Sequence, residues 1–138
     1  MQYVNLDTYA HVRPVAGRVV TVLDATHDSR GIQLISSYSR ALPRYSIHEL
    51  ILTDEPGKKP GDTVNHIAYL GFFEVTEGGC LIVGEELSIN HKPVGTLIGF
   101  DETHEPNHIN IIIQSHEFMT GNQSGWKIDD SIRFDKRT

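Results

Sequence analysis

Apolar runs of strand length, each closed by turn residues, recur along the chain from residue 17 onward. They are "GRVVTVLDA" (17–25), "SIHELILTD" (46–54), "TVNHIAYLGFFEV" (63–75), "CLIVGEELSI" (80–89), "PVGTLIGFD" (93–101), "HINIIIQS" (108–115) and "WKIDDSIRF" (126–134). Their β-branched and aromatic residues suit a pleated, half-buried surface. Between the second and third runs, "EPGKKPGD" (55–62) carries two prolines and two glycines, which end any regular element. "EGG" (77–79) marks a tight turn, and Gly71 inside the third run marks a bulge or bend. The spacing predicts a mainly β protein: a small closed or partly open antiparallel β-barrel with at most one or two short helices, in a single domain over residues 1–138.

Two stretches resist the pattern. In "DSRGIQLISSYSRALPRY" (28–45), Ile32, Ile35, Tyr38 and Leu42 fall near helical spacing, with Pro43 placed to stop a helix. Ile32 and Leu34 also alternate, as in an irregular strand, and both readings stand. The second stretch is the isoleucine run. A period of two cannot turn Ile109, Ile111, Ile112 and Ile113 to one face. Ile111 and Ile113 bury in a regular register, Ile109 and Ile112 in a bulged one. Both faces of this strand are therefore expected to be covered, and a second copy of the chain is one candidate cover.

"PGDTV", "VGEEL" and "IDDSI" each place an acidic residue just before an apolar strand position. Glycine permits positive φ there, and the acid caps the turn. From about residue 60 to 134 the chain resembles, at the level of fold, the small barrels of translation factors and their oxidoreductase relatives. Such a resemblance transfers no activity. As a whole the chain resembles the small conserved bacterial families of unknown function.

Charge narrows the partners. The 138 residues include 12 Lys and Arg against 18 Asp and Glu, a formal charge of −6. That balance repels nucleic acid and anionic membrane surfaces, and the basic residues are scattered, with Lys58-Lys59 and Lys136-Arg137 the compact pairs. The one cysteine, Cys80, makes no internal disulfide and fits a reducing compartment; the run "CLIVG" reads it as a buried strand thiol. "MQYVNLDTYAHVRPV" lacks the charged start and apolar stretch of a signal peptide, and no apolar run approaches the roughly 20 residues that span a bilayer. The expectation is a cytoplasmic protein without membrane or nucleic-acid partners.

Candidate chemistry concentrates in "DETHEPNH" (101–108). His104-Glu105-Pro106-Asn107-His108 matches H-E-x-x-H, which binds zinc because a helix projects both imidazoles from one face. Here Pro106 and strand-like flanks oppose a helix, so the zinc-protease reading fails. A bent loop can still converge ligands. Asp101, Glu102, His104 and His108 are the candidate ligands for a divalent metal (Zn, Ni, Fe or Mn), with Glu105 the candidate proton carrier. The plainer reading is a solvated connection turned by Pro106 and Asn107. His66, Asn107 and Trp126 are candidate ligand contacts. Strand alternation puts His66 on a face with Val64 and Ala68, expected to be interior. "EFMTGNQSGWK" (117–127) is either a loop sealing a barrel end or a rim over a pocket. His48-Glu49 shares the ambiguity of His66. The phosphate-binding and nucleophile-elbow motifs are missing from the sequence. The chain reads as a binder of a small ligand or a partner protein, itself included, at the His- and acid-rich loop. The alternative is a metal-dependent, hydrolase-like enzyme using residues 101–108.

Overall fold

The computed structural model describes residues 14–136; residues 1–13 and Arg137, both read above, lie outside them. In chain order the strands are β1 (Val15–Val22), β2 (Thr26–His27), β3 (Ile32–Gln33), β4 (Ser39–Leu42), β5 (Ile47–Thr53), β6 (Thr63–Val64), β7 (Ile67–Glu77), β8 (Gly79–Ile82), β9 (Glu86–Ile89), β10 (Lys92–Asp101), β11 (Asn110–Gln114) and β12 (Ser131–Asp135). No helix occurs among the described residues. The 28–45 stretch takes the irregular-strand form. Its backbone N–H groups reach across the fold, Leu34 to Asp62 O and Ile35 to Phe100 O, rather than along a helix.

Seven strands close a ring in the order β1-β12-β9-β10-β11-β5-β7, completed by pairing between β1 and β7. The result is the expected partly open β architecture. β3 with β6, and β4 with β8, form separate two-stranded ladders. One neighbouring pair departs from the antiparallel expectation: β5 and β11 run parallel. No hairpin joins them, so no turn residue announces the pairing. Their sequences carry a different mark, since parallel strands covered on both faces read as nearly continuous apolar runs. "HELILT" and "NIII" are buried throughout.

Two apolar clusters result. The inner one fills the ring and includes Leu50, Phe73, Phe100, Ile109, Ile111, Ile113 and Phe134. The outer one joins Ile51, Ile67, Ile98 and Ile112 to Ile32, Leu34 and Val64. All four isoleucines of the run are 0% exposed. Ile109, Ile111 and Ile113 therefore bury together without a bulge, and Ile112 buries on the opposite face. The cover on that face is the chain's own β3–β6 ladder and Leu34, so the burial needs no second copy.

The three acidic turn entries share one device. Asp62, Glu85 and Asp130 each donate a backbone N–H to the carbonyl three residues earlier, at 3.0, 3.1 and 3.1 Å. Their carboxylates accept the N–H of that same residue: Lys59, Ile82 and Lys127. Gly71 lies at the expected bulge. Leu50 faces Gly71 while Ile51 faces Tyr69, leaving Leu70 out of register. A Cβ on Gly71 would collide with the Thr21 carbonyl oxygen. The expected burial of Cys80 is corrected: the residue is exposed. β8 pairs only with β4, so one side turns Leu81 inward and the other turns Cys80 to solvent.

Candidate functional site

Strand alternation builds a polar row on the outer face of the ring. Phe100, Ile111 and Leu50 point inward, so their neighbours Asp101, Asn110 and Glu49 point outward. Asp101 pairs with Asn110, Asn110 with Glu49, and Glu49 with Phe72 across β10, β11, β5 and β7. The three polar residues are nevertheless buried, at 4%, 1% and 8% exposure. His108, two residues before Asn110, joins them. Its Nε2 lies 3.5 Å from Glu49 Oε1, and its ring meets Phe72 edge-on at 5.2 Å.

Hydrogen bonds orient the row. Thr103 Oγ1 donates to Asp101 Oδ1 at 2.6 Å, and Asn110 Nδ2 donates to Asp101 Oδ2 at 2.8 Å. With both Thr103 and Asn110 donating to it, Asp101 fixes the amide with its nitrogen toward β10. Asn110 Oδ1 and His108 Nε2 are buried and make no hydrogen bond of ordinary geometry among the described residues, although the His108 ring lies near enough to the Asn110 amide to interact with it weakly. Each such group costs about 1–3 kcal/mol.

Burial also sets the charges. It raises the Glu49 pKa from 4.5 to about 7, against the pull of Arg30 and with a push from Asp101. It lowers that of His108, helped by His104; Asn110, Asp101 and Glu105 pull the other way. The 3.5 Å contact is therefore no ordinary salt bridge: at neutral pH the imidazole is uncharged and the carboxyl is near half-protonated. His48, on the inner face, falls to about 4 through burial first, then His108 and Arg40. Its Nδ1 accepts the Ile109 N–H at 3.2 Å, tying the loop's end to β5.

The loop above the row turns without a helix. Glu105 N–H bonds Glu102 O at 3.1 Å, and Asn107 and His108 both bond His104 O, at 2.9 and 3.3 Å. The Glu105-Pro106 peptide is cis. The helical zinc-protease geometry is thus ruled out, as Pro106 implied. Arg40 of β4 clamps the loop, binding Glu102 at 2.6 Å and also Glu105.

The predicted residues therefore divide. Asp101 and His108 belong to the row. Glu102 and Glu105 face Arg40. His104 is exposed and stacks on His108 at 5.1 Å between centroids, and Asn107 is exposed. Among the described residues no group of three or more His, Cys, Asp and Glu side chains converges as metal ligands would. The acids that sequence proximity suggested as ligands are engaged by Arg40, Thr103 and Asn110.

His66 and Trp126 lie apart from this row. His66 lies beyond the other end of β5, in the break between β6 and β7, where its expected interior placement is corrected. Glu55 Oε2 accepts the N–H groups of Asn65 and His66 at 3.0 and 2.7 Å, interrupting the alternation. The imidazole is 38% exposed, bonds Asp54 through Nδ1 at 2.8 Å and stacks on Phe118 at 3.9 Å. The Asp54 bond raises its pKa. Trp126 is buried in the inner cluster. Sequence reasoning missed Asn110 and Arg40 and left Glu49 unassigned; the available signal was an acid inside a run of consecutive buried strand positions.

Fold and site together define a partly open seven-stranded β ring carrying a buried carboxyl–imidazole–amide row on its outer face. The chain belongs to a family of unknown function, DUF6917, whose model matches residues 9–135. No curated protein and no solved structure matches it.

Proposed function

We propose that this protein binds a small nitrogenous ligand, an amide or an amine, at the row formed by Glu49, His108 and Asn110. One observation carries the reading: the amide oxygen of Asn110, a residue 1% exposed, lacks a donor at ordinary hydrogen-bond geometry, the neighbouring His108 ring approaching the amide only loosely. A ligand N–H supplies that donor. Glu49, near its midpoint at neutral pH, accepts a second hydrogen bond by releasing its proton, or donates one while protonated. Neutral His108 offers donor or acceptor through Nε2. An anion is disfavoured, because Asp101 and Glu49 already place two carboxyl groups there. Arg40 holds the loop beside the site through Glu102 and Glu105.

The support for a metal-dependent hydrolase is thinner, since Glu102 and Glu105 are bound to Arg40 and the loop's remaining candidate ligands do not converge. Saturation-transfer NMR with acetamide, methylamine and acetate tests the binding reading. Acetamide or methylamine should receive saturation from the wild-type protein, and neither should from folded Asn110→Leu. Glu49→Gln, which keeps the shape, should weaken methylamine more than acetamide. Acetate binding as well as the nitrogen compounds, or binding unaffected by both substitutions, contradicts the proposal.

A further inference from the structure

A concavity lies apart from the polar row, at the end of the ring where β5 finishes and β10 begins. It holds about 320 Å³, near the lower bound of small-molecule sites. Its apolar wall includes Leu52, Ile89, Val94, Met119 and Trp126. Lys92 and Glu117, both exposed, line the same cleft, and neither forms an ion pair with any described residue. One cleft thus offers an aromatic wall and two unpaired charges of opposite sign.

The cleft is preformed. Its Met119–Trp126 wall belongs to a loop pinned from several sides. Thr120 Oγ1 and Asn122 Nδ2 both donate to the Asp24 carboxylate, at 2.8 and 3.2 Å. Gly121 N–H bonds Tyr69 O at 3.1 Å, and Trp126 N–H bonds Gly121 O at 2.9 Å. Gly121 packs so closely on Leu70 that a Cβ would overlap its carbonyl oxygen. Ser115 N–H bonds Thr53 O at 2.9 Å, anchoring the start of the segment. A ligand entering here meets walls that need little ordering, which lowers the entropic cost of binding.

We infer that this cleft is a site for a small zwitterion with an apolar body, of the class of a free α-amino acid with an aromatic or large aliphatic side chain. The carboxylate faces Lys92, the ammonium faces Glu117, and the side chain lies against Trp126 and Met119. A molecule with one charge satisfies one rim group and leaves the other unpaired, so the pair selects zwitterions over simple amines and acids. The site is independent of the polar row.

The test uses the full chain and its only tryptophan, Trp126. L-phenylalanine and L-leucine are titrated while Trp126 emission is followed, with phenethylamine and 3-phenylpropionate as probes lacking one charge. At least one amino acid should produce a saturable change. Each singly charged probe should bind at least tenfold more weakly than L-phenylalanine. Lys92→Met and Glu117→Gln, both at exposed positions, should each weaken the amino acid at least tenfold without changing the far-UV spectrum. Asn110→Leu, once shown to be folded, should leave it unchanged. No saturable change with either amino acid, equal binding of the singly charged probes, or indifference to both rim substitutions overturns the inference. Loss of binding in folded Asn110→Leu overturns the independence of the two sites.

Discussion

Glu49→Gln should change the shape of the protein's pH–stability curve. Burial moves the Glu49 pKa from 4.5 to about 7. At roughly 1.4 kcal/mol per pH unit, that displacement is worth about 3 kcal/mol. The sign follows from proton counting. Between pH 4.5 and 7 the folded carboxyl keeps a proton that the unfolded chain releases, so Glu49 makes stability fall as pH rises. His48 does the opposite. Its pKa drops from 6.5 to about 4, so below pH 6.5 the unfolded chain takes up a proton that the folded imidazole refuses. Its contribution makes stability rise with pH from 4 to 6.5. The two slopes oppose one another where they overlap, and wild type should show little net dependence on these groups there. Glutamine removes the falling slope and leaves the rising one. Urea unfolding followed by Trp126 fluorescence, at half-unit steps from pH 4.5 to 8, measures the difference. Relative to wild type, the variant should gain about 3 kcal/mol across that range. Parallel curves refute the reasoning, because they mean Glu49 ionises in the folded protein as it does in the unfolded one. A variant that loses ground as pH rises refutes it more strongly, since Arg30 would then be stabilising a buried anion.

Other perturbations probe other parts. Ile111→Ala and Ile112→Ala should each cost about 2–4 kcal/mol, because they empty opposite faces of β11. An unchanged urea midpoint for Ile112→Ala would show that the β3–β6 cover does not pack. Arg40→Ala should cost under about 1 kcal/mol, its pairs being partly exposed, yet should speed hydrogen exchange at the Glu105, Asn107 and His108 amides. Unchanged exchange would mean the loop is held by its backbone turns alone. Asp54→Asn should lower the NMR titration midpoint of His66, whose elevation comes first from the Asp54 hydrogen bond. His66 stabilises the fold below its unfolded pKa and loses that effect as pH rises through the folded value, so the variant should lose stability mainly on the acid side. A midpoint that stays in place rejects this coupling.

Strands such as β1, β9 and β12 were legible because they bury a side chain every second residue, and that period is written locally. The acid turns were legible for the same reason: Asp62, Glu85 and Asp130 close turns within four residues. The parallel pairing of β5 with β11 was not, since it joins residues about sixty positions apart through no common turn. "INIII" showed that both faces needed cover, but not that Ile32, Leu34 and Val64 supply it. The site was half legible. Asp101 and His108 lie in a visibly polar loop, whereas Glu49 and Asn110 sit in apolar strands and become neighbours only through the parallel register. His66 misled because Glu55 breaks the strand before it, and Glu102 and Glu105 because their partner, Arg40, comes from β4.

The central claim is that Asn110 Oδ1 and His108 Nε2 await a ligand's hydrogen-bonding groups. Its most direct test is NMR of the Asn110 side-chain amide and the His108 ring nitrogens during titration with acetamide and with methylamine near neutral pH. The account predicts saturable shifts at both residues, with one apparent affinity, for at least one of the two compounds, and smaller shifts at His66. Resonances at Asn110 and His108 that stay fixed, or that drift without saturating while distant histidines drift equally, would contradict it.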